Sequence, residues 1–143
     1  LAGIIHKGDK GDFSDEAYSL QFWWQESGEG KKRIMFVLKD TAEHTLESDT
    51  KLDTIGIWYH VAGTWDSDGM KIYINGNLDP NTNTDAVTVK NTSGGLNIGS
   101  QLISGESYST YGNCPFDGKI DDVMIYDRAL TAAEIAAIAQ DRP

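Results

Sequence analysis

Short segments with alternating apolar and polar side chains, separated by Gly, Asn and Asp turns, most strongly constrain how this chain folds. This pattern is typical of an antiparallel sandwich. Residues 17–25 alternate most clearly, and Arg33–Lys39 returns, so we predict a hairpin. The side chains on the predicted core face of the first strand are Tyr18, Leu20, Phe22 and Trp24. Its other face carries Ser19, Gln21 and Trp23.

Further strands are predicted at residues 58–65, 70–74, 96–100 and 119–126, where β-branched and aromatic residues are enriched. Asn75-Gly76 is a strong hairpin-turn dipeptide, and Gly69 can supply a positive φ in the preceding turn. The polar residues 77–85 and 103–114 are predicted as loops. Thr131 and Glu134 form a capping box, which predicts a short C-terminal helix.

The length of 143 residues predicts a single domain covering residues 1–143. A net charge of −10 would repel a nucleic acid backbone, so we expect no nucleic acid partner. The acidity indicates either a soluble surface or carboxylates that hold calcium. Cys114 is the only cysteine, which excludes an intrachain disulfide. No apolar run is long enough to cross a bilayer, so we expect no membrane insertion.

Several blocks in the second half of the chain carry a family pattern. They are WYHVAGTWD at 58–66, KIYING at 71–76, LNIGS at 96–100, FDGKIDDV at 116–123 and IYDRAL at 125–130. These blocks, in this order, resemble the LamG-like jelly-roll family of the concanavalin A-like lectin and glucanase superfamily. The resemblance implies an all-β, antiparallel two-sheet jelly-roll sandwich with a short C-terminal helix. It also implies a secreted, extracellular module that binds glycans or proteins, in some members with calcium.

The chain departs from the family at its N-terminus. The family normally has one or two strands ahead of the part that resembles residues 3–8 here. We therefore expect that the N-terminal strands are missing, or that the fold is completed in another way. An unpaired sandwich edge favours pairing with another chain. This predicts a homodimer or a strand-donating partner segment.

Catalysis is not predicted from the sequence. The superfamily's glucanases use a Glu-x-Asp-x-x-Glu arrangement, because two carboxylates must flank the scissile bond. Glu43, Glu47 and Asp49 come closest, but at other offsets. The histidines show no zinc-binding spacing. A glycoside hydrolase is therefore the least favoured of the functional hypotheses, and we expect no enzyme.

Calcium is an open question at this stage. Asp9 and Asp12 lie in a Gly-rich, acidic segment that could wrap a cation, and Asp117 is a loop carboxylate. Asp121 alternates onto the face of Val123 and Ile125, where an acid must be paired, hydrogen-bonded or metal-bound. Both a structural role and a metal role stay open for Asp121.

Carbohydrate binding is the first functional hypothesis, and a calcium-dependent protein-interaction or adhesion module is the alternative. Trp58 and Trp65 fit core positions, whereas Trp23 is either an exposed platform for a sugar face or packed under a loop. The candidate ligand-binding residues are Trp23 with the neighbouring amide of Gln21, and Tyr108, Tyr111 and Asn113 in the 104–113 loop.

Overall fold

The computed structural model describes residues 2–8, 16–24, 32–101 and 114–141. These residues form mostly antiparallel strands and a short C-terminal helix, which confirms the predicted all-β sandwich. The elements in chain order are Ala2–Lys7 (β1), Tyr18–Trp23 (β2), Arg33–Lys39 (β3), Glu43–Glu47 (β4), Val61–Asp66 (β5), Gly69–Ile74 (β6), Asn77–Asn83 (β7), Leu96–Ile98 (β8), Ser100–Gln101 (β9), Cys114–Pro115 (β10) and Ala132–Gln140 (α1).

The strands are arranged in one larger and one smaller sheet. The larger sheet has the order β4-β3-β2-β1-β8, and the smaller has the order β5-β6-β7, while β9 and β10 pair with each other. All described pairs are antiparallel. The core lies between the sheets because the apolar residues alternate onto their facing sides. Its buried members are Leu20, Ile34, Phe36, Leu38, Leu46, Met70, Ile72, Ile74 and Val87.

The two predicted turns of the smaller sheet are confirmed. Asn75 and Gly76 have φ values of 51° and 79°, the left-handed conformation that a two-residue hairpin turn requires. Gly69 has a φ of 108°, and a Cβ there would lie 2.0 Å from the carbonyl oxygen of Asn83. Glycine is therefore needed at position 69 for both conformation and space.

The C-terminal helix begins as the capping box predicts. The Thr131 hydroxyl accepts the Glu134 N–H at 3.3 Å, and the Glu134 carboxylate accepts the Thr131 N–H at 2.8 Å. Ile135 is the buried anchor of α1. The helix packs against the β6–β7 turn so closely that a Cβ at Gly76 would lie 3.1 Å from the Ala136 Cα. With nine residues, α1 is too short to span a bilayer. No helix in the described part of the chain is long and apolar enough to cross a membrane.

A hydrogen-bonded clamp, centred on Asp79, ties β7 to the corner after β4. The buried Asp79 carboxylate accepts the N–H groups of Asp49 at 2.8 Å and Thr50 at 2.9 Å, as well as that of Asn81 at 3.1 Å. The Asn81 side-chain amide donates to the Glu47 carbonyl at 2.8 Å. Burial alone would raise the pKa of Asp79, but the hydrogen bonds outweigh it and lower that pKa. The two sheets are thus joined along this edge.

Three strand predictions differ from the structure. Residues 77–85 were expected to form a loop, but Asn77–Asn83 is β7, and Pro80 is accommodated there because β7 is an edge strand. The strand expected from residue 58 begins only at Val61. Residues 119–126 were expected to form the last strand, yet they have no strand pairing among the described residues. Pattern alone did not reveal which segments find a hydrogen-bonding neighbour.

Several burial predictions were also wrong. Trp24, expected in the core, is 49% exposed because β2 ends at Trp23 and the alternation stops there. Trp58 is 57% exposed because it lies before β5. Ser19 and Gln21, expected on an open face, are buried. Trp65 does pack against the core as predicted.

Candidate functional site

A cleft of about 800 Å³ lies between the two sheets in the described part of the chain, and it is termed the inter-sheet cleft. It lies within the size range of typical ligand sites. Its walls are the inner faces of β1, β2, β3 and β5, residues 54–60, residues 116–130, and Ile135 and Ile138 of α1. The cleft is therefore built from segments that are distant in sequence.

The inner part of the cleft is closed by aromatic packing. Phe36 and Tyr18 of the larger sheet each place their ring centroid 6.0 Å from that of Trp65 in β5. Gly63 allows this approach, since a Cβ there would lie 2.9 Å from the Phe36 ring. Phe22 and Phe116 meet edge to face at 6.4 Å. These contacts fix the depth of the cleft.

The outer rim of the cleft exposes large apolar side chains. Ile125 is 52% exposed and Trp58 is 57% exposed, although both line the cleft. Other exposed apolar residues on the same walls are Ile55, Ile57, Val123, Met124 and Tyr126. Apolar residues clustered on a concave rim mark an interaction surface, whereas scattered ones do not. The sequence signal for this surface was the unbroken apolar run 123–126, which lies in the strand predicted at residues 119–126.

Two stretches of backbone beside the cleft lack a strand neighbour. The smaller sheet has the order β5-β6-β7, so in the described part of the chain the outer edge of β5 is unpaired. Residues 123–127 have no backbone hydrogen bond to any other described residue. They follow Asp122, whose φ of 50° turns the chain away from regular extended geometry. Both stretches can therefore accept a hydrogen-bonding partner.

The walls of the inter-sheet cleft carry more acidic than basic residues. The described carboxylates are those of Asp117, Asp121, Asp122 and Asp127, and the described cations are Lys119 and Arg128. The Arg128 guanidinium binds Glu134 through two contacts, at 2.6 and 3.0 Å. This pairing, together with the N–H of Thr131, lowers the pKa of Glu134 to about 2. With Arg128 engaged in this way, the rim is negative.

The predicted carbohydrate platform is arranged differently from the expectation. Trp23 is half-buried at the end of β2, opposite Arg33. Gln21 is 1% exposed, and its side-chain amide donates to the Ser19 hydroxyl at 2.7 Å, so it does not present an amide to solvent beside Trp23. The exposed indole at this position is that of Trp24.

A buried polar layer lies on this face of the larger sheet, and the sequence interpretation missed it. His6 is opposite Ser19 in β2 and Asn97 in β8, and its Nε2 lies 3.5 Å from the Glu16 carboxylate. Burial lowers the pKa of His6, and the nearby Glu16 charge partly opposes that shift. The signal for this layer was the set of polar residues that alternate with the core positions of β1 and β2.

The predicted calcium ligands do not form a cluster in the part of the chain that the structure describes. Asp117 and Asp121 are both exposed on the cleft wall, and no group of three or more metal-binding side chains is found among the described residues. Asp121 does not share a buried apolar face, because Val123 and Ile125 are exposed as well. Asp9, Asp12, Tyr108, Tyr111 and Asn113 lie outside the described residues. Calcium binding and the 104–113 loop site stay predictions.

Two comparisons match this chain to parts of longer proteins. A crystal structure of an S-layer domain-containing protein (residues 221–444) from Clostridium thermocellum superposes with a TM-score of 0.52 at 32% identity, covering 90% of this chain and 59% of that one. The human adhesion G-protein coupled receptor D1 is 38% identical over 80 residues, which is 55% of this chain and 9% of the receptor. The chain therefore spans less than two thirds of either protein.

The family comparison covers almost the whole chain. The sequence profile of the Laminin_G_3 family, described as concanavalin A-like lectin/glucanases superfamily, matches residues 2–136. The match includes the blocks at residues 58–66 and 116–123 from which the resemblance was inferred, and the structure supplies the antiparallel sandwich that it implies. The chain thus belongs to the Laminin_G_3 family of the concanavalin A-like lectin/glucanases superfamily.

Proposed function

We propose that this chain is a non-catalytic extracellular recognition module that binds a protein ligand at the inter-sheet cleft. The observation that carries the proposal is the rim of exposed apolar side chains around a cleft of about 800 Å³. Burying Trp58 and Ile125 against a ligand would remove them from water, which is the main favourable contribution to protein association. A protein ligand supplies apolar surface that a glycan largely lacks.

The extracellular assignment is supported by the proteins to which this chain is similar. One matched protein is an adhesion receptor and the other is an S-layer protein. The net charge of −10 agrees with a highly solvated surface. These are arguments from similarity and composition, so the location is part of the proposal.

The exposed carboxylates of the cleft walls support the assignment as non-catalytic. Glycoside hydrolysis needs two carboxylates across the scissile bond, one of them in an environment that keeps it protonated. The described carboxylates that line the cleft, from Asp117 to Asp127, are all exposed. Their positions on an apolar, solvent-open rim suit recognition better than acid catalysis.

The proposal is tested with a matched pair of variants. Ile125 lines the cleft and is 52% exposed, whereas Leu78 in β7 does not line it and is 49% exposed. The wild type, Ile125→Asn and Leu78→Asn are each applied to an array of cell-surface and secreted protein ectodomains. We expect protein ligands that are retained by wild type and Leu78→Asn and lost by Ile125→Asn. Ligands that bind all three proteins equally would contradict a cleft site.

Carbohydrate binding is the second candidate, and the exposure of Trp24 beside Trp23 favours it. An exposed indole can stack on the apolar face of a sugar. Titration of soluble polysaccharides by calorimetry, with Trp24→Ala as the variant, tests this candidate. We expect Trp24→Ala to weaken any glycan binding at least tenfold, and unchanged binding would exclude this platform.

A further inference from the structure

We infer that the larger sheet contains an acid-sensitive switch at His6: when the buried imidazole takes up a second proton, β8 is released from β1. The inference goes beyond the proposed function, and it holds whether or not the inter-sheet cleft binds a ligand. In the acid state β8 is displaced, while the smaller sheet keeps the order β5-β6-β7.

The position of His6 in the larger sheet is the first argument. His6 is 3% exposed and lies between Ser19 in β2 and Asn97 in β8. The titratable side chain that faces it is Glu16, just ahead of β2, which is also 3% exposed. The hydroxyl and the amide that β2 and β8 place opposite His6 do not titrate. Within the described residues, burial and the Glu16 carboxylate therefore decide whether His6 is charged.

The surroundings of the two ring nitrogens give the second argument. Nε2 of His6 lies 3.5 Å from the Glu16 carboxylate, so a neutral imidazole with its proton on Nε2 directs that proton towards a negative charge. Nδ1 is buried and has no hydrogen-bond partner in the described part of the chain. Protonation of Nδ1 would create a buried donor without an acceptor, which folded proteins rarely contain.

The neighbouring strands do not offer Nδ1 a free acceptor directly opposite. The Ser19 hydroxyl already accepts the Gln21 amide at 2.7 Å. The buried side-chain nitrogen of Asn97 lacks a partner among the described residues, but it is itself a donor. The Gln21 side-chain oxygen is an acceptor without a described partner, yet the residue opposite it in β1 is Gly3. The closed sheet is therefore matched to a neutral imidazole.

Burial sets the direction of the proton equilibrium. It lowers the pKa of His6 below the ordinary value of 6.5, and the negative charge of Glu16 opposes this shift only in part. In an open state, in which water reaches the imidazole, the pKa returns towards that ordinary value. The open state therefore binds the proton more tightly. The contribution of neutral His6 to stability is complete above about pH 6.5 and is lost as the pH falls through the lower folded-state pKa.

The length of the ladders indicates which strand is released. The β1–β8 ladder joins three residue pairs, with His6 and Asn97 as the central pair. The β1–β2 ladder joins five. Opening the shorter ladder breaks fewer contacts, so it needs less free energy than opening the longer one. Because Asn97 lies directly opposite, the departure of β8 admits water to the imidazole.

Release of β8 would also reach the wall of the inter-sheet cleft. Gly99, directly after β8, donates its N–H to the Ile4 carbonyl at 2.9 Å, and its own carbonyl accepts the Phe116 N–H at 2.9 Å. The Phe116 ring meets that of Phe22 in β2 edge to face at 6.4 Å. Displacing β8 therefore moves the backbone group that holds Phe116 in place.

The test is an NMR titration of the wild type from pH 7 to pH 5, combined with amide exchange. The imidazole signals report the pKa of His6, and exchange protection at residues 96–98 reports the closure of β8. We expect His6 to titrate below pH 6.5. We also expect protection at residues 96–98 to fall at least about fivefold over this range, because the open state binds the proton more tightly. Protection at residues 70–74 in β6 should change by less than about twofold.

Two histidine variants separate the switch from general acid sensitivity. His6→Gln has no group that can charge at this position, so it should abolish the loss of protection at residues 96–98. His44→Gln is the matched control, because His44 lies in β4 and contacts Asp40 and Asp85 instead. It should keep the wild-type response.

Three results would overturn the inference. They are a His6 that titrates at or above pH 6.5, an equal loss of protection in His6→Gln, and an equal loss in β6 and β8, which would mean that the whole domain opens. If His6→Gln does not fold, the titration and the comparison of β6 with β8 in the wild type decide the matter.

Discussion

Removing the charge of Asp79 tests the hydrogen-bonded clamp that joins the two sheets between β7 and the corner after β4. Its Oδ1 accepts the N–H groups of Asp49 and Asn81, and its Oδ2 accepts that of Thr50. In Asp79→Asn, one acceptor oxygen becomes an NH₂ group that faces a backbone donor. A buried donor left without its acceptor costs about 1–3 kcal/mol. We therefore expect Asp79→Asn to lower the free energy of unfolding by about 2 kcal/mol.

The pH dependence gives the same prediction a second, independent check. The folded-state pKa of Asp79 is lowered, whereas its unfolded-state value is about 3.9. The contribution of its charge to stability is therefore complete above pH of about 4, and it is lost as the pH falls through the lower folded-state pKa. The difference between wild type and Asp79→Asn should narrow over that acidic range.

The assay is urea unfolding followed by tryptophan fluorescence, at pH 7 and at steps down to pH 2. Asp53→Asn is the matched control, since that carboxylate is 64% exposed and lies 3.9 Å from Lys32. An exposed pair of this kind contributes at most about 1 kcal/mol and often nothing measurable. If Asp79→Asn destabilised the protein no more than this control, the clamp would not be what joins the sheets on this side.

Further predictions concern pH, the turns, the helix and calcium. The hydrogen bond that the His44 imidazole donates to the Asp85 carboxylate is the largest cause that raises the pKa of His44. The stability from this contact is therefore complete below about pH 6.5 and is lost as the pH rises through the folded-state pKa, which NMR titration measures. Gly69→Ala should cost more than about 1 kcal/mol in urea unfolding, because its positive φ and the nearby backbone exclude a side chain. Thr131→Ala should cost about 1 kcal/mol through the lost cap, as measured in the same assay. If the calcium prediction is right, calcium should raise the melting temperature, EDTA should reverse that rise, and Asp121→Asn should abolish it. A melting temperature unaffected by calcium would contradict the metal prediction.

Features that depend on neighbouring residues in sequence could be predicted, because their physical causes are local. The Asn75-Gly76 turn follows from backbone conformations that few residue pairs adopt easily. The cap at Thr131 follows from a side chain that reaches a donor three residues on. The family blocks also allowed the sandwich fold as a whole to be predicted.

The candidate site could not be predicted in the same way, because it depends on where strands end and which segments meet. One residue decides whether Trp24 is in β2 and buried, or beyond it and exposed. Gln21 was assigned to the right face, but that face carries the buried layer of His6 and Glu16, which lie on other segments. The inter-sheet cleft brings together residues that are more than a hundred positions apart, such as Ile5 and Ile125.

Residues 119–126 show why a strand-like sequence need not form a strand. Their sequence has the composition of a strand, yet the structure gives them no strand partner among the described residues. Strand preference reflects packing against neighbours more than the backbone of a single segment, so a segment can favour a strand and still lack the neighbour that completes it. The apolar side chains of 123–126 are then exposed for the same reason that their backbone is unpaired.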